Sequence, residues 1–176
     1  MVYAAGILIM SFHKGKFYTL LGRDHYNTYS DFGGKSDLSD NGNPIMTAAR
    51  EMYEETCGAL YSITEICNKL NSCKKIASLS YTKKSYTMYI MFVKYDDSVC
   101  ERFSKVYDYI ETLPYLYTFK EKIKIEWVLL DDVLYKKVNL RNVFQTTVEN
   151  NINNILKVAY NYTSTNSRYR YGRRSI

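Results

Sequence analysis

A chain of 176 residues and 20.6 kDa suits one domain of ordinary size. With 46% apolar and 24% charged residues it can build a packed core, which excludes an intrinsically disordered polymer. A formal charge of +6 invites a polyanionic partner, and no apolar run approaches the ~20 residues that span a bilayer, so no membrane association is expected.

In chain order, 3–12 and 16–22 are mostly apolar and β-prone, and His13-Lys14-Gly15-Lys16 between them reads as the turn of an antiparallel hairpin. The opening apolar run lacks a basic leader, so no signal peptide is expected. A polar stretch, 23–43, holds Gly33, Gly34 and Gly42 among Asp and Ser and reads as one long loop. Loops of that length in compact domains tend to carry function. Pro44 suits the first turn of a helix, with Asn43 as its N-cap, and the helix should run to about Cys57. A short helix over 63–70, strands over 75–81 and 85–95 joined at Thr82-Lys83-Lys84, and a helix over 101–113 ended by Pro114 follow. A strand is predicted over 122–130, then a turn or short helix at Asp131-Asp132. Phe144, Val148, Ile152, Ile155, Leu156 and Ala159 recur at helical spacing, so an amphipathic helix should close the domain over 143–160. Strands interleaved with helices give an α/β layered domain, 1–160, with 161–176 as a flexible tail.

Cys57, Cys67, Cys73 and Cys100 form no CxxC pair, and His13 and His25 are too few and too distant to complete a zinc site. They read as reduced thiols of an intracellular, cytoplasmic protein. Nineteen tyrosines against two prolines, with abundant Lys, Asn and Ile, suit an AT-rich genome, such as that of a virus acting in its host's cytoplasm.

Chemistry concentrates in Arg50-Glu51-Met52-Tyr53-Glu54-Glu55. Glu51, Glu54 and Glu55 stand at i, i+3 and i+4, so three carboxylates project from one helix face while Ile45, Ala48, Ala49, Met52 and Thr56 form the other. Like charges at these spacings repel by about 0.2–0.5 kcal/mol per pair, which a divalent cation would offset. Carboxylate oxygens suit Mg²⁺ or Mn²⁺, and Mg²⁺ recruits substrate phosphates as further ligands. Arg50, at i, i+4 from Glu54, can hold that carboxylate in place. On charge pattern alone a solvated acidic face would explain the same residues.

Phe32-Gly33-Gly34-Lys35-Ser36-Asp37, then Pro44 and AAREMYEET, resembles the Nudix box of the Nudix hydrolases: Gly, five residues, Glu, seven residues, Arg-Glu, a hydrophobic, any residue, Glu-Glu, any residue, Gly. Gly34 matches the box glycine, Arg50 and Glu51 its Arg-Glu, Met52 its hydrophobic, and Glu54 and Glu55 its paired glutamates. The box glutamate has no direct match: counting from Gly34 gives Asp40, counting back from Arg50 gives Gly42. A two-residue insertion explains both counts, with Asp40 or Asp37 standing in. Cys57 takes the closing glycine's place, with Gly58 next, so the helix should end one residue later. Ile125-Glu126-Trp127-Val128 with Asp131-Asp132, and Gly22-Arg23 with Tyr29, resemble the family's late strand and its approach to the box.

The resemblance implies an α/β/α sandwich with a mixed central sheet and a metal-dependent hydrolase of a diphosphate linkage in a nucleoside diphosphate joined to another group. It implies Mg²⁺ or Mn²⁺ held by Glu51, Glu54, Glu55 and the Gly34 carbonyl, with Glu51 as base or ligand. The family's additional carboxylate before the Trp strand is assigned to Glu121, with Glu111 and Glu126 behind it. Substrate contacts are expected from Arg23, Phe32, Lys35, Tyr29 and Tyr86. Arg168, Arg170, Arg173 and Arg174 place +4 of the +6 in the tail, where they alternate with Tyr169 and Tyr171 as in arms that bind RNA backbones and bases. Capped RNA, cleaved in an mRNA decapping reaction, is therefore the specific expectation. The alternatives are a housecleaning hydrolase of free nucleotides, dinucleoside polyphosphates or inositol pyrophosphates, and a binding module that has lost catalysis.

Overall fold

The computed structural model describes residues 3–79 and 85–171, with the side chains of 74–79, 85 and 165–171 excepted. The expected connection at Thr82-Lys83-Lys84 lies outside the described residues. Elements run β1 (Ala4–His13), β2 (Lys16–Asp24), β3 (Tyr29–Ser30), β4 (Phe32–Lys35), α1 (Pro44–Glu55), α2 (Ile63–Leu70), β5 (Lys74–Leu79), β6 (Ser85–Phe92), α3 (Ser98–Glu111), β7 (Lys122–Leu129), α4 (Leu130–Leu134) and α5 (Asn142–Tyr171).

The sheet has the order β3-β2-β1-β6-β5, with β4 added beside β1 and β7 beside β2. It is mixed, because β1 and β6 pair in parallel while the other pairs are antiparallel. Central β1 is buried from Ala5 to Met10, so its sequence is continuously apolar rather than alternating. Ala5, Ile7 and Ile9 face a core closed by α1, α2 and α3, including Met52, Ile66 and Phe103. Leu8 and Met10 face a second core closed by α4 and α5, including Val133, Phe144, Val148 and Ile155. The chain is thus an α/β/α sandwich, as its sequence led one to expect.

Three local expectations change. The stretch 23–43 is not one long loop: β4 pairs with β1 through Ala4↔Lys35, Ala5↔Gly34 and Gly6↔Gly33. Its two glycines carry no side-chain alternation, so nothing in the sequence marks it as a strand. Helix α1 ends at Glu55 rather than later, and the chain turns through Cys57 at φ 51 and Gly58 at φ 66. The position where a closing glycine would ordinarily sit thus demands the left-handed backbone that glycine adopts without steric cost. Finally, α5 continues eleven residues past Tyr160, to Tyr171, and Tyr162 stacks on Phe92 with ring centroids 3.9 Å apart.

Candidate active site

Helix α1 starts where the sequence places it: Asn43 Oδ1 accepts from the Ile45 N–H, and Pro44 occupies the first turn. The preceding loop folds into a 3₁₀ turn over Leu38–Asp40. There Asp37 accepts from the Ser39 N–H, and Asp40 Oδ2 accepts from the Asp37 N–H at 2.8 Å. Asn41 at φ 50 and Gly42 at φ 71 then reverse the chain into the helix.

This turn delivers Asp40, 2% exposed, to Arg50. Arg50 Nε and Nη2 donate to Asp40 Oδ1 and Oδ2, both at 3.0 Å, a bidentate pair that the Thr47 hydroxyl supports at 2.8 Å. Of the two acids the sequence offered for the missing box glutamate, Asp40 makes the contact, while Asp37 caps the turn that holds it. Burial works to raise the Asp40 pKa, but these donors outweigh it and hold the carboxyl below its ordinary value. Arg50 Nη1 also donates to Glu51 Oε1 at 3.0 Å and Glu54 Oε2 at 3.3 Å, and Nη2 to the Lys35 carbonyl at 3.0 Å. One guanidinium therefore ties the loop, β4 and two carboxylates together.

Glu51 lies against the Gly34 peptide. A Cβ on Gly34 would fall 2.6 Å from the Glu51 carboxyl carbon and from both its oxygens, so only glycine leaves room for that carboxylate. Burial pushes the Glu51 pKa up to about 7, opposed by Arg50 and reinforced by Glu54 and Glu121. Burial likewise raises the pKa of half-buried Glu54, and Glu121 again adds to it. Glu121 itself is exposed, follows the 3₁₀ turn Tyr117–Lys120, and forms no ion pair among the described residues. The three carboxylates thus feel one another.

Glu55 is placed differently. It is 1% exposed and points inward, where Oε2 accepts from the Gly33 N–H at 2.7 Å and Oε1 lies 3.1 Å from Lys122 Nζ. Burial raises its pKa to about 8 against the pull of Lys122. Among the described residues, no group of three or more His, Cys, Asp or Glu side chains is arranged to hold a metal ion. Glu51 beside the Gly34 peptide, Glu54 on the same guanidinium, and Glu55 Oε1, which has an ion pair but no hydrogen bond, are the donors this face offers. Carboxylates and a peptide oxygen suit a hard cation that keeps several waters and takes further ligands from substrate phosphates.

Two clefts open around this face. One, of about 580 Å³, is lined by His25, Thr28, Glu121, Lys122, Asn139 and Arg141. A smaller one, of about 180 Å³, is lined by Asp31, Gly33, Gly34, Lys35, Tyr86 and Arg141. Lys35 is exposed at the rim of the smaller cleft, as a phosphate contact requires. Tyr86 donates to buried Asp31 Oδ2 at 2.5 Å. Phe32 must be corrected as a substrate contact: it is fully buried in the core beneath α1 and offers no free surface. Arg23 is turned to Asn27, with Nη1 donating at 3.3 Å, and does not line either cleft. Tyr29 donates to Glu126, which also pairs with Lys124, so Glu126 is engaged elsewhere. Glu111 lies at the exposed end of α3, where its carbonyl accepts from Lys120. The side chains of Arg168 and Arg170 lie outside the described residues. Lys122, Asp31 and Arg141 were not singled out in the sequence; a lysine opening a strand is too common a feature to mark a buried cation.

A third cleft, with Tyr61, Tyr95, Arg102 and Trp127 in its wall, lies toward the other end of the sheet, where Trp127 is level with Leu20 and Ile9. It does not reach the carboxylates.

No family model and no curated protein matches this sequence. Solved structures do match its fold. A Nudix hydrolase from M. smegmatis, RenU, superposes with a TM-score of 0.55 at 14% identity over 89% of this chain and 87% of its own. The NUDIX domain of Shewanella oneidensis NrtR, solved with ADP-ribose, gives 0.55 at 12% identity over 87% of both chains. The C. elegans Ap4A hydrolase gives 0.50 at 16% identity over 84% of this chain and 93% of its own. The chain has the Nudix hydrolase fold.

Proposed function

We propose that the protein is a metal-dependent hydrolase that cleaves a diphosphate linkage in a nucleotide-derived substrate. The observation that carries this reading is the Arg50 network, which holds Glu51, packed against the Gly34 peptide, and Glu54 on one guanidinium, with Gly34 and Glu121 lining the neighbouring clefts. Three carboxylates, Asp40, Glu51 and Glu54, share one guanidinium there, so the face keeps an unmet demand for positive charge.

Glu51, Glu54, Glu55 and the Gly34 carbonyl would hold Mg²⁺ or Mn²⁺, which when bound neutralises phosphate charge and lowers the pKa of water. Arg50 fixes the carboxylate orientations, with Asp40 fixing Arg50 in turn. Glu121, exposed and without an ion pair among the described residues, accepts the proton of the attacking water at its carboxylate. Lys35 and Arg141 on the cleft rims face the phosphates. With Asp40 supplying the acid that pairs Arg50, the displaced box glutamate no longer argues for a module without catalysis.

Capped RNA is the specific substrate favoured by the Arg and Tyr alternation from Arg168 to Arg174. Free nucleotides, ADP-ribose, dinucleoside polyphosphates and inositol pyrophosphates are the competing substrates. Incubation of each with Mg²⁺ or Mn²⁺ is expected to show turnover of at least one. In Glu54→Gln that turnover should fall by more than the roughly 10- to 100-fold typical of losing a group that only supports a metal ligand. Turnover of none, or a Glu54→Gln enzyme equal to wild type, would overturn the hydrolase. Removing 166–176, which spares the Tyr162 stack on Phe92, should weaken RNA cleavage and flatten its salt dependence while leaving free nucleotides unaffected.

A further inference from the structure

The third cleft, of about 480 Å³, lies outside the carboxylate site and is given no task by the reaction proposed above. Its volume is that of a small-ligand site. Trp127 in its wall is level with Ile9, and Gly34 is level with Ala5, so the two sites stand about 13 Å apart along the strands, at roughly 3.3 Å per residue.

The strand register builds an aromatic wall at this end. The pairs Ser11↔Tyr18 and His13↔Lys16 put His13, Lys16 and Tyr18 on one face of the sheet. His13 stacks on Tyr95 with ring centroids 4.2 Å apart, Tyr18 lies 5.3 Å from Tyr95, and Tyr95 lies 4.9 Å from Trp127. All four rings are half-buried. The Trp127 indole N–H donates to the Asp96 carbonyl at 3.0 Å, which fixes the ring. Tyr61, between α1 and α2, adds to the lining and carries Lys69 Nζ 4.5 Å from its ring centroid. A planar group entering the cleft therefore meets aromatic surface that is already ordered.

Charge at this end is one-sided. Lys14, Lys16 and Lys94 are exposed and form no ion pair among the described residues. The nearby acids are engaged: Asp96 pairs with Arg102 at 3.0 Å, Glu101 with Lys105 at 2.7 Å, Glu126 with Lys124, and Asp97 faces the Tyr95 hydroxyl. Arg102 uses Nη1 and Nε on Asp96, Ser98 and the Ala59 carbonyl, so it shapes the cleft, and Lys94 is the uncommitted cation of the lining. A flat base and a phosphate answer these two features together. Three unpaired lysines spread over the hairpin turn and the cleft exceed what one phosphate needs and suit a chain of phosphates.

We propose that this cleft is a second nucleotide-binding site, which takes a base of single-stranded RNA on Trp127 and Tyr61 and its phosphate on Lys94, with neighbouring phosphates on Lys14 and Lys16. This rests on the reading of RNA as the substrate and extends it. The strand leaving the cleaved diphosphate runs along the sheet to the cleft, whereas a free nucleotide held at the carboxylates does not use it. Because an aromatic face accepts any base, the site favours RNA over mononucleotides without selecting a sequence.

Trp127 is the only tryptophan of the chain, so its fluorescence reports on this cleft. The test titrates the intact protein, with EDTA to stop metal-dependent cleavage, with single-stranded RNA of about ten nucleotides, within the span such sites cover, and with AMP and GMP. RNA should quench Trp127, and the mononucleotides should do so only at concentrations at least about tenfold higher, since each offers a single stack. Lys94→Ala should weaken RNA binding alike for every sequence and lower the slope of log affinity against log salt by about 1, the share of one phosphate contact. Lys94 is exposed and unpaired among the described residues, so replacing it does not threaten the fold. No quench by RNA, or a quench that Lys94→Ala leaves with wild-type affinity and salt slope, would overturn the inference. So would mononucleotides that bind as tightly as RNA, which would make the cleft a site for a free nucleotide. If RNA quenches Trp127 but no substrate is turned over with Mg²⁺ or Mn²⁺, the hydrolase reading falls and the binding site stands. If RNA is cleaved but leaves Trp127 unquenched, the site falls and the hydrolase reading stands.

Discussion

The two sides of helix α1 handle negative charge in opposite ways. On the outer side, Asp40, Glu51 and Glu54 share the single Arg50 guanidinium, which is 19% exposed. On the inner side, Glu55 meets Lys122 one to one, with the two side chains only 1% and 2% exposed. A network short of cations and open to solvent can recruit another cation and exchange it. The buried pair instead ties the helix to the sheet through one ion pair. The difference is sharp although Glu54 and Glu55 are adjacent in sequence.

The strongest way to break this comparison is to remove the inner cation. Lys122→Ala leaves a buried carboxylate without its partner and is expected to cost about 3 kcal/mol in urea unfolding, the lower end for breaking a buried pair, because Glu55 can escape part of the cost by taking up a proton. Adding Glu55→Leu removes the orphaned charge and should recover most of that loss. If the double variant is no more stable than Lys122→Ala, the pair is not what holds the inner side.

The outer network should yield less and depend on pH. Asp40→Asn weakens a bidentate charged contact and is expected to cost about 2 kcal/mol, within the range for hydrogen bonds to charged groups. The Asp40 carboxyl titrates below its ordinary 3.8 in the fold, so its contribution is complete above about pH 5 and is lost as pH falls through the folded value. Unfolding curves of wild type and Asp40→Asn should therefore stay a constant distance apart from pH 5 to 7 and converge in more acidic solution. A gap that widens on acidification would show that Asp40 is not the acid holding Arg50.

These two sides also differ in how far they could be read from sequence. Arg50, Glu51 and Glu54 lie within five residues on one helix, so 3.6 residues per turn was enough to bring them together. Asp40 was legible as one of two choices, because it lies ten residues from Arg50 and only the folded turn decides between it and Asp37. Lys122 was not legible, since its approach to Glu55 depends on a strand bulge and on the absence of a Cβ at Gly22. The layered α/β class followed from strands interleaved with helices, and the sandwich from what the box resemblance implies. By contrast β4 escaped, because Gly33 and Gly34 carry neither β-propensity nor alternation. Phe32 was misread for the related reason that an aromatic residue beside a glycine pair has the same appearance whether it stacks on a base or fills a core.

The smallest effect sharpens the boundary between the two sides. Asn43 caps α1 through one hydrogen bond to the Ile45 N–H and touches neither ion system with its side chain. Asn43→Ala should therefore cost about 1 kcal/mol, the usual value of an N-cap, and the cost should be the same from pH 5 to 7. It should also leave Mn²⁺ affinity unchanged, because Glu51 and Glu54 lie about two and three turns further along the helix and are held by Arg50. A cost near that of Asp40→Asn, accompanied by weaker Mn²⁺ binding, would mean that the 3₁₀ turn, the cap and Arg50 behave as one cooperative unit. The outer side would then owe its order to the whole loop 37–43 rather than to the Asp40–Arg50 contact within it.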